Sequence, residues 1–509
     1  MVTSSSRYDV VIVGGGHNGL TAAAYLALAG KSVLVLERLG HVGGAAVSAQ
    51  AFDGVDARLS RYSYLVSLLP KRVIHDLGLN IRLQRRRYSS YTPVPGGRGG
   101  LLVDNGDAAA TADSFRSIGG ETDADAWHRF YEGTATIART LFPTVTEPLL
   151  TRSEARAALD DDRLWSQLIE QPIGQTVADT FDNDLVRGVV LTDALIGTFA
   201  PNVDESLAAN RCFLYHVIGN ETGDWDVPIG GMGAVTGELH RAARNAGAQI
   251  VTNAEVTSIS PDGDVTFDGG VVHGEYVLAN VAPYVLARLL GDEAPAKPEG
   301  AQVKVNLLLS RLPRLKDESV DPVAAFGGTF HINETWTQLG DAYDRAAAGA
   351  IAAPLPAEIY CHSLADPSIL SVELQQSGAQ TLTVFGLHTP SRLTASAAEL
   401  QAAVLASLNS VLAEPVESLL LTDASGAPTI ETKTTADIEA ALGMPGGNIF
   451  HGPLSWPFAE DSDRLETPAE QWGVATAHPR ILLCGSGSQR GGAVSGLGGH
   501  NAAMAVLAS

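Results

Sequence analysis

Tyr8-Asp9-Val10-Val11-Ile12-Val13-Gly14-Gly15-Gly16-His17-Asn18-Gly19-Leu20 leads through an alanine-rich stretch and Gly30 into Lys31-Ser32-Val33-Leu34-Val35-Leu36-Glu37. Val10 to Val13 is short, apolar and β-branched, as a strand buried on both faces requires. Leu20 to Ala29 reads as a helix ending at Gly30, and Lys31 to Leu36 as a second strand closing on Glu37. Between the first strand and the helix stands Gly14-x-Gly16-x-x-Gly19. Its first glycine allows a tight turn, the second lets the backbone approach a pyrophosphate, and the third lets helix and strand pack closely. The helix N-terminus then offers free N–H groups and a positive dipole end to phosphate. Glu37 sits at the tip of the second strand, where a carboxylate accepts hydrogen bonds from a ribose. An acid there disfavours a 2′-phosphate, which argues against NADP and leaves FAD and NAD open.

Working outward, Glu37-Arg38-Leu39-Gly40-His41-Val42-Gly43-Gly44-Ala45-Ala46 follows. It resembles the extension found in FAD enzymes of the amine-oxidase and phytoene-desaturase group, where Gly43 and Gly44 would cross close to the pyrophosphate and flavin. Most of that group has Arg where this chain has Ala45, which removes one phosphate or flavin contact. Gly16-His17-Asn18-Gly19-Leu20, the Ser60 to Pro70 segment, Gly230 to Val235, Gly446 to Gly452, Leu483 to Gly487 and Gly491 to Gly496 extend the likeness over nearly the whole chain. Together they are similar to the phytoene-desaturase-like flavoproteins, in the branch with pyridine nucleotide-disulphide oxidoreductase domain proteins and single-component β-carotene ketolases.

The resemblance implies an α/β fold: a Rossmann-type FAD-binding domain with an interleaved α+β substrate domain. The FAD domain is expected to be discontinuous, over 1–65, 225–300 and 440–509, with 66–224 and 301–439 forming the substrate domain. Gly96 to Gly100, Gly291 to Gly300 and Thr422 to Pro428 read as linkers. Ala234 to Gly247 suits an amphipathic helix with Gly247 at its C-cap. Ala248 to Val256 reads as one strand, with Val256 placed by the family geometry near the adenine. Ile481 to Cys484 reads as a buried strand and Ala502 to Leu507 as a short helix. By the same resemblance Gly485 and Ser486 would meet the ribityl chain, and Val494 and Ser495 the N1/O2 edge of the flavin.

Composition narrows the function classes. The chain has 509 residues, 34 Lys and Arg against 57 Asp and Glu, and a net charge of −23. Such length predicts two or more domains. Such acidity repels nucleic-acid backbones and anionic lipid, although a local patch allows transient membrane docking. The three cysteines (Cys212, Cys361 and Cys484) form no CxxC pair. That argues against a dithiol redox centre and a cysteine zinc site, no metal site is read, and the count suits a reducing cytoplasm. Met1 to Arg7 is short and polar, unlike a targeting segment, and no stretch reads as a transmembrane span.

Flavin carries its own two-electron chemistry, so catalytic side chains leave little trace in sequence. His451 is the first candidate, as a base or substrate ligand, against a loop histidine bonded to a carbonyl. His216 is a second, against a core histidine. Lys304 invites comparison with the lysine that holds a water at flavin N5 in amine oxidases, against an exposed strand lysine. Tyr62 and Tyr64 read as strand residues that line a tunnel or belong to the core. Arg85-Arg86-Arg87 reads as a solvated run, and Cys484 as an inert core thiol. The expected function is an FAD-dependent oxidoreductase acting on a largely apolar small molecule, by polyene desaturation, saturation, isomerisation or ketolation. Flavin amine oxidase and an FAD-binding scaffold are the alternatives.

Overall fold

The structure is a computed structural model that describes residues 6–96 and 98–509; the N-terminal reading therefore lies largely outside the described residues. Arg7–Val13 (β1) is followed by the helix His17–Leu28 (α1) and the strand Val33–Leu36 (β2). Along β1, Val10 and Ile12 pack into one apolar cluster while Val11 and Val13 pack into another. That is why four consecutive apolar residues are needed there: alternate side chains leave on opposite faces, and both faces are covered.

β1 and β2 pair in parallel, flanked by Gly270–Ala279 on the β1 side and Gln249–Val251 on the β2 side. Ile481–Leu483 adds a further parallel strand to Gly270–Ala279, bringing the C-terminal segment beside the glycine turn. Val256–Ile259 and Asp264–Phe267 extend the sheet antiparallel from the start of Gly270–Ala279. A second seven-stranded sheet contains Tyr88–Pro93, Gly100–Asp104 and five strands between Val303 and Lys433. It is antiparallel except where Thr329–Ile332 runs parallel to Tyr88–Pro93. A helical layer between Ala108 and Val217 packs around Phe115, Trp165, Phe181 and Phe213. No helix among the described residues is long and apolar enough to cross a membrane.

The structure departs from sequence expectation in four places. Ala248 to Val256 is two strands, on opposite sides of the sheet. Asn253 takes φ 53°, and the amides of Asn253 and Ala254 donate to the carbonyls of Leu39 and Glu37, so the chain turns between them. The last helix is Leu497–Leu507, beginning earlier than its glycines suggest. Gly498 and Gly499 belong to it because a Cβ on Gly499 would lie 1.9 Å from the Asn18 carbonyl of α1. The strand before Tyr62 ends at Ser60, so Tyr62 and Tyr64 lie on a connecting segment. Finally, Gly96 to Gly100, whose Gly97 is outside the described residues, joins two adjacent strands of one sheet; Thr422 likewise bridges to Pro428 across a turn.

Candidate functional site

The glycine turn is built from backbone contacts. Gly14, at φ 102°, donates its N–H to the Leu36 carbonyl at 2.8 Å and accepts the Asn280 amide at 2.9 Å. Gly43 donates to the Gly15 carbonyl at 2.9 Å, and a Cβ on Gly44 would come within 3.3 Å of the Gly16 Cα. Glu37 is buried, and its two oxygens accept the amides of Gly15 and Leu39, each at 2.7 Å. The carboxylate is thereby aimed before any ribose arrives. Arg38 donates to the Ala441 carbonyl at 3.0 Å, tying this edge to the C-terminal third of the chain.

One continuous cavity of about 850 Å³ runs along these residues and onward between the two sheets. Gly14, Gly16, His17, Glu37, Arg38 and Gly44 line its nucleotide stretch. Ala45, Val256, Ser486 and Val494 line it too. Gly19, Gly43 and Gly485 stand behind that wall and set the spacing of the backbone, with Asn18 fully buried beside them. Ser495 is also off the wall: its hydroxyl donates to the Gly492 carbonyl and accepts the Leu497 amide, starting the last helix. His17 Nε2 and both polar atoms of the Asn18 amide are buried without a partner at the first turn of α1. A groove floored by glycine, with an aimed carboxylate and the unpartnered His17 Nε2 at a helix N-terminus, fits an adenine dinucleotide.

Past the glycine turn the wall becomes aromatic. Tyr64 packs on Tyr360 and Phe385, with ring centroids 4.2 and 5.0 Å away. Tyr215 packs edge-on against Phe450. His451, at φ 67°, lines the cavity with Nδ1 unpartnered. Burial lowers its pKa to about 4; His17 falls to about 4 through burial and the neighbouring His451. Both rings are neutral at pH 7. His216 also lines the cavity, its Nδ1–H donating to the Cys212 carbonyl at 2.8 Å and its ring against Trp225.

Lys304 does not line the cavity. It is buried, donates to the Ser60 carbonyl at 2.9 Å, and sits 5.1 Å from the Phe385 ring. Burial brings its pKa down to about 7 against the opposing pull of Glu431. Cys484 is fully buried, with its thiol pushed up by desolvation, and also lies off the wall. The arginine run is not uniformly solvated. Arg86 is half-buried, lines the cavity, and donates to the Trp225 carbonyl and the Thr329 hydroxyl, while Arg85 and Arg87 pair with Asp224 and Asp104.

Sequence reasoning missed Asn280 and a buried polar group formed by Asp193, His331, Glu334 and Glu358. His331 Nδ1 lies 2.6 Å from a Glu334 oxygen and 3.8 Å from Glu358, whose other oxygen accepts the Tyr360 hydroxyl at 2.5 Å. Only the short His331-x-x-Glu334 spacing was there to be seen.

The family model described as an NAD(P)-binding Rossmann-like domain matches residues 12–81. The chain is 57% identical to the protein Rv0897c of Mycobacterium tuberculosis, over 98% of this chain and 97% of that one. Pyridine nucleotide-disulfide oxidoreductase domain-containing protein 2 of Rattus norvegicus is 27% identical over 98% and 93% of the two chains. The carotenoid 3,4-desaturase of Haloarcula japonica is 27% identical over 54% and 56%. The chain belongs to one family with Rv0897c and is homologous to the oxidoreductase domain protein and the desaturase just named. The solved cyclohexylamine oxidase of Brevibacterium oxydans shares the fold, with TM-score 0.55 and 16% identity over 98% of both chains. Lys304, compared in the sequence with the amine-oxidase lysine, is turned onto the Ser60 carbonyl rather than the cavity.

Proposed function

We propose that this protein is an FAD-dependent oxidoreductase acting on a largely apolar small molecule. The observation that carries the reading is the single cavity joining the Gly14–Glu37 groove to the aromatic surface of Tyr64, Tyr215, Phe385 and Phe450. Gly14, Gly16 and Gly44 would receive the pyrophosphate, Glu37 the adenosine ribose, Ser486 the ribityl chain, and Val494 the flavin edge. Bound FAD supplies two-electron exchange with the substrate. The chain's own part is to hold that substrate between aromatic faces and to exclude water. His451 and His216 are neutral at pH 7, so an apolar molecule can cover them without desolvating a charge. Desaturation, saturation, isomerisation and ketolation of a polyene all fit these requirements.

The reading is tested by anaerobic difference spectra of the holoprotein with squalene, an apolar polyene without a visible band, and separately with cyclohexylamine. A saturable shift or bleaching of the flavin bands by squalene is expected. Bands unmoved by squalene but bleached by cyclohexylamine would replace this reading with amine oxidation.

A further inference from the structure

Asp193, His331, Glu358 and Arg86 all line the cavity, an unusual set for a wall facing an apolar ligand. They come from four separate segments: the end of the helix Asp184–Thr192, the strands Thr329–Ile332 and Ala357–Tyr360, and the residues before Tyr88–Pro93. Placing ionisable groups there costs desolvation that the fold does not require. One of them, and one group just behind them, is incompletely satisfied. The Asp193 carboxylate takes no hydrogen bond from the described residues, and the charges of His331 and Arg86 oppose the effect of its burial. Glu334, fully buried behind His331, has one carboxyl oxygen without a partner.

The geometry points to this wall as a hydrogen-bonding subsite for a hydroxyl or carbonyl carried by the otherwise apolar substrate. The inference rests on the oxidoreductase reading above and names the substrate class more narrowly. Charge decides against a cationic group. Burial raises Glu358 to about 8, so it keeps its proton at pH 7, and raises Glu334 behind it well above its ordinary range. Asp193, raised to about 6 by burial, is mostly ionised there but faces the Arg86 guanidinium. The resulting wall is close to neutral, offering a carboxylic acid and a guanidinium as donors and Asp193 as acceptor. An oxygen function can use both the donors and the acceptors; an ammonium has no use for the donors and meets the repulsion of Arg86.

The test is binding of farnesol, farnesene and farnesylamine to the holoprotein, read by quenching of the cavity tryptophans Trp127 and Trp225. Farnesol is expected to bind about tenfold or more tightly than farnesene, the size expected of one hydrogen bond to a charged group. Asp193→Leu, which strands no protein partner, is expected to bring the two within about twofold of each other while leaving farnesene binding intact. Equal binding of farnesol and farnesene to the wild type overturns the subsite while leaving the apolar-substrate reading standing. Tightest binding of farnesylamine overturns the neutral-oxygen assignment. Failure of all three to bind overturns both the subsite and the reading beneath it. The wild-type comparison decides the matter even if the variant does not fold.

Discussion

Gly19→Ala is expected to retain much less of the proposed FAD than the wild type. The added Cβ would lie 2.2 Å from the Gly14 carbonyl oxygen and 2.9 Å from the Asn280 amide nitrogen. Neither atom can yield cheaply. Gly14 is held by its bond to Leu36, and the Asn280 amide is bonded to the very oxygen the methyl would strike. Helix α1 must therefore move away from the strand, opening the phosphate cradle. Overpacking of about 1–3 kcal/mol corresponds to roughly 5- to 150-fold weaker cofactor binding. Gly237→Ala is the control. Gly237 is exposed on the helix Met232–Asn245, and its new Cβ would meet nothing within 4 Å. It should keep its flavin and gain up to about 1 kcal/mol from the better helix former. Equal flavin content in the two variants would contradict the packing argument.

Glu358→Gln is expected to remove one contribution to stability that falls as pH rises. In the folded chain Glu358 releases its proton only near pH 8; burial is the main cause, with the neighbouring Glu334 and Asp193 adding to it and His331 and Tyr360 opposing it. Unfolded, it ionises near the ordinary value of 4.5. Between those two values the folded state binds more protons than the unfolded state, so stability declines as pH rises through the interval. The full loss above pH 8 is on the order of 3–5 kcal/mol. Gln has the shape of the protonated acid and no proton to lose. Lys304 has the opposite sign: its folded pKa near 7 lies below 10.5, so it adds stability as pH rises between them. That contribution is common to both proteins and cancels in their difference. Thermal unfolding should show the two nearly equal at pH 5 and the variant clearly more stable at pH 9. A difference that does not change with pH would mean that Glu358 is already ionised in the folded state.

The nucleotide half of the site was legible because it is local. Strand, glycine turn, helix, second strand and Glu37 follow within thirty-one residues, Arg7 to Glu37, and each part has its own chemical reason. The polar wall was not legible, because Arg86, Asp193, His331 and Glu358 meet only through the folding of distant segments. Lys304 shows the limit in another way. Its strand was correctly placed, yet alternation could not tell that both faces of Val303–Leu309 are buried, or that the amine turns onto Ser60. Gly498 and Gly499 read as loop on propensity alone; close packing against α1 outweighs the helix penalty of glycine.

The central claim is that the glycine groove holds FAD. It is tested most directly by heating the purified protein, removing the precipitate, and identifying the released chromophore by mass and absorbance. A yellow protein that releases FAD at about one per chain is expected, as a single Rossmann site requires. A colourless protein that takes up NAD but cannot be reconstituted with FAD would contradict it.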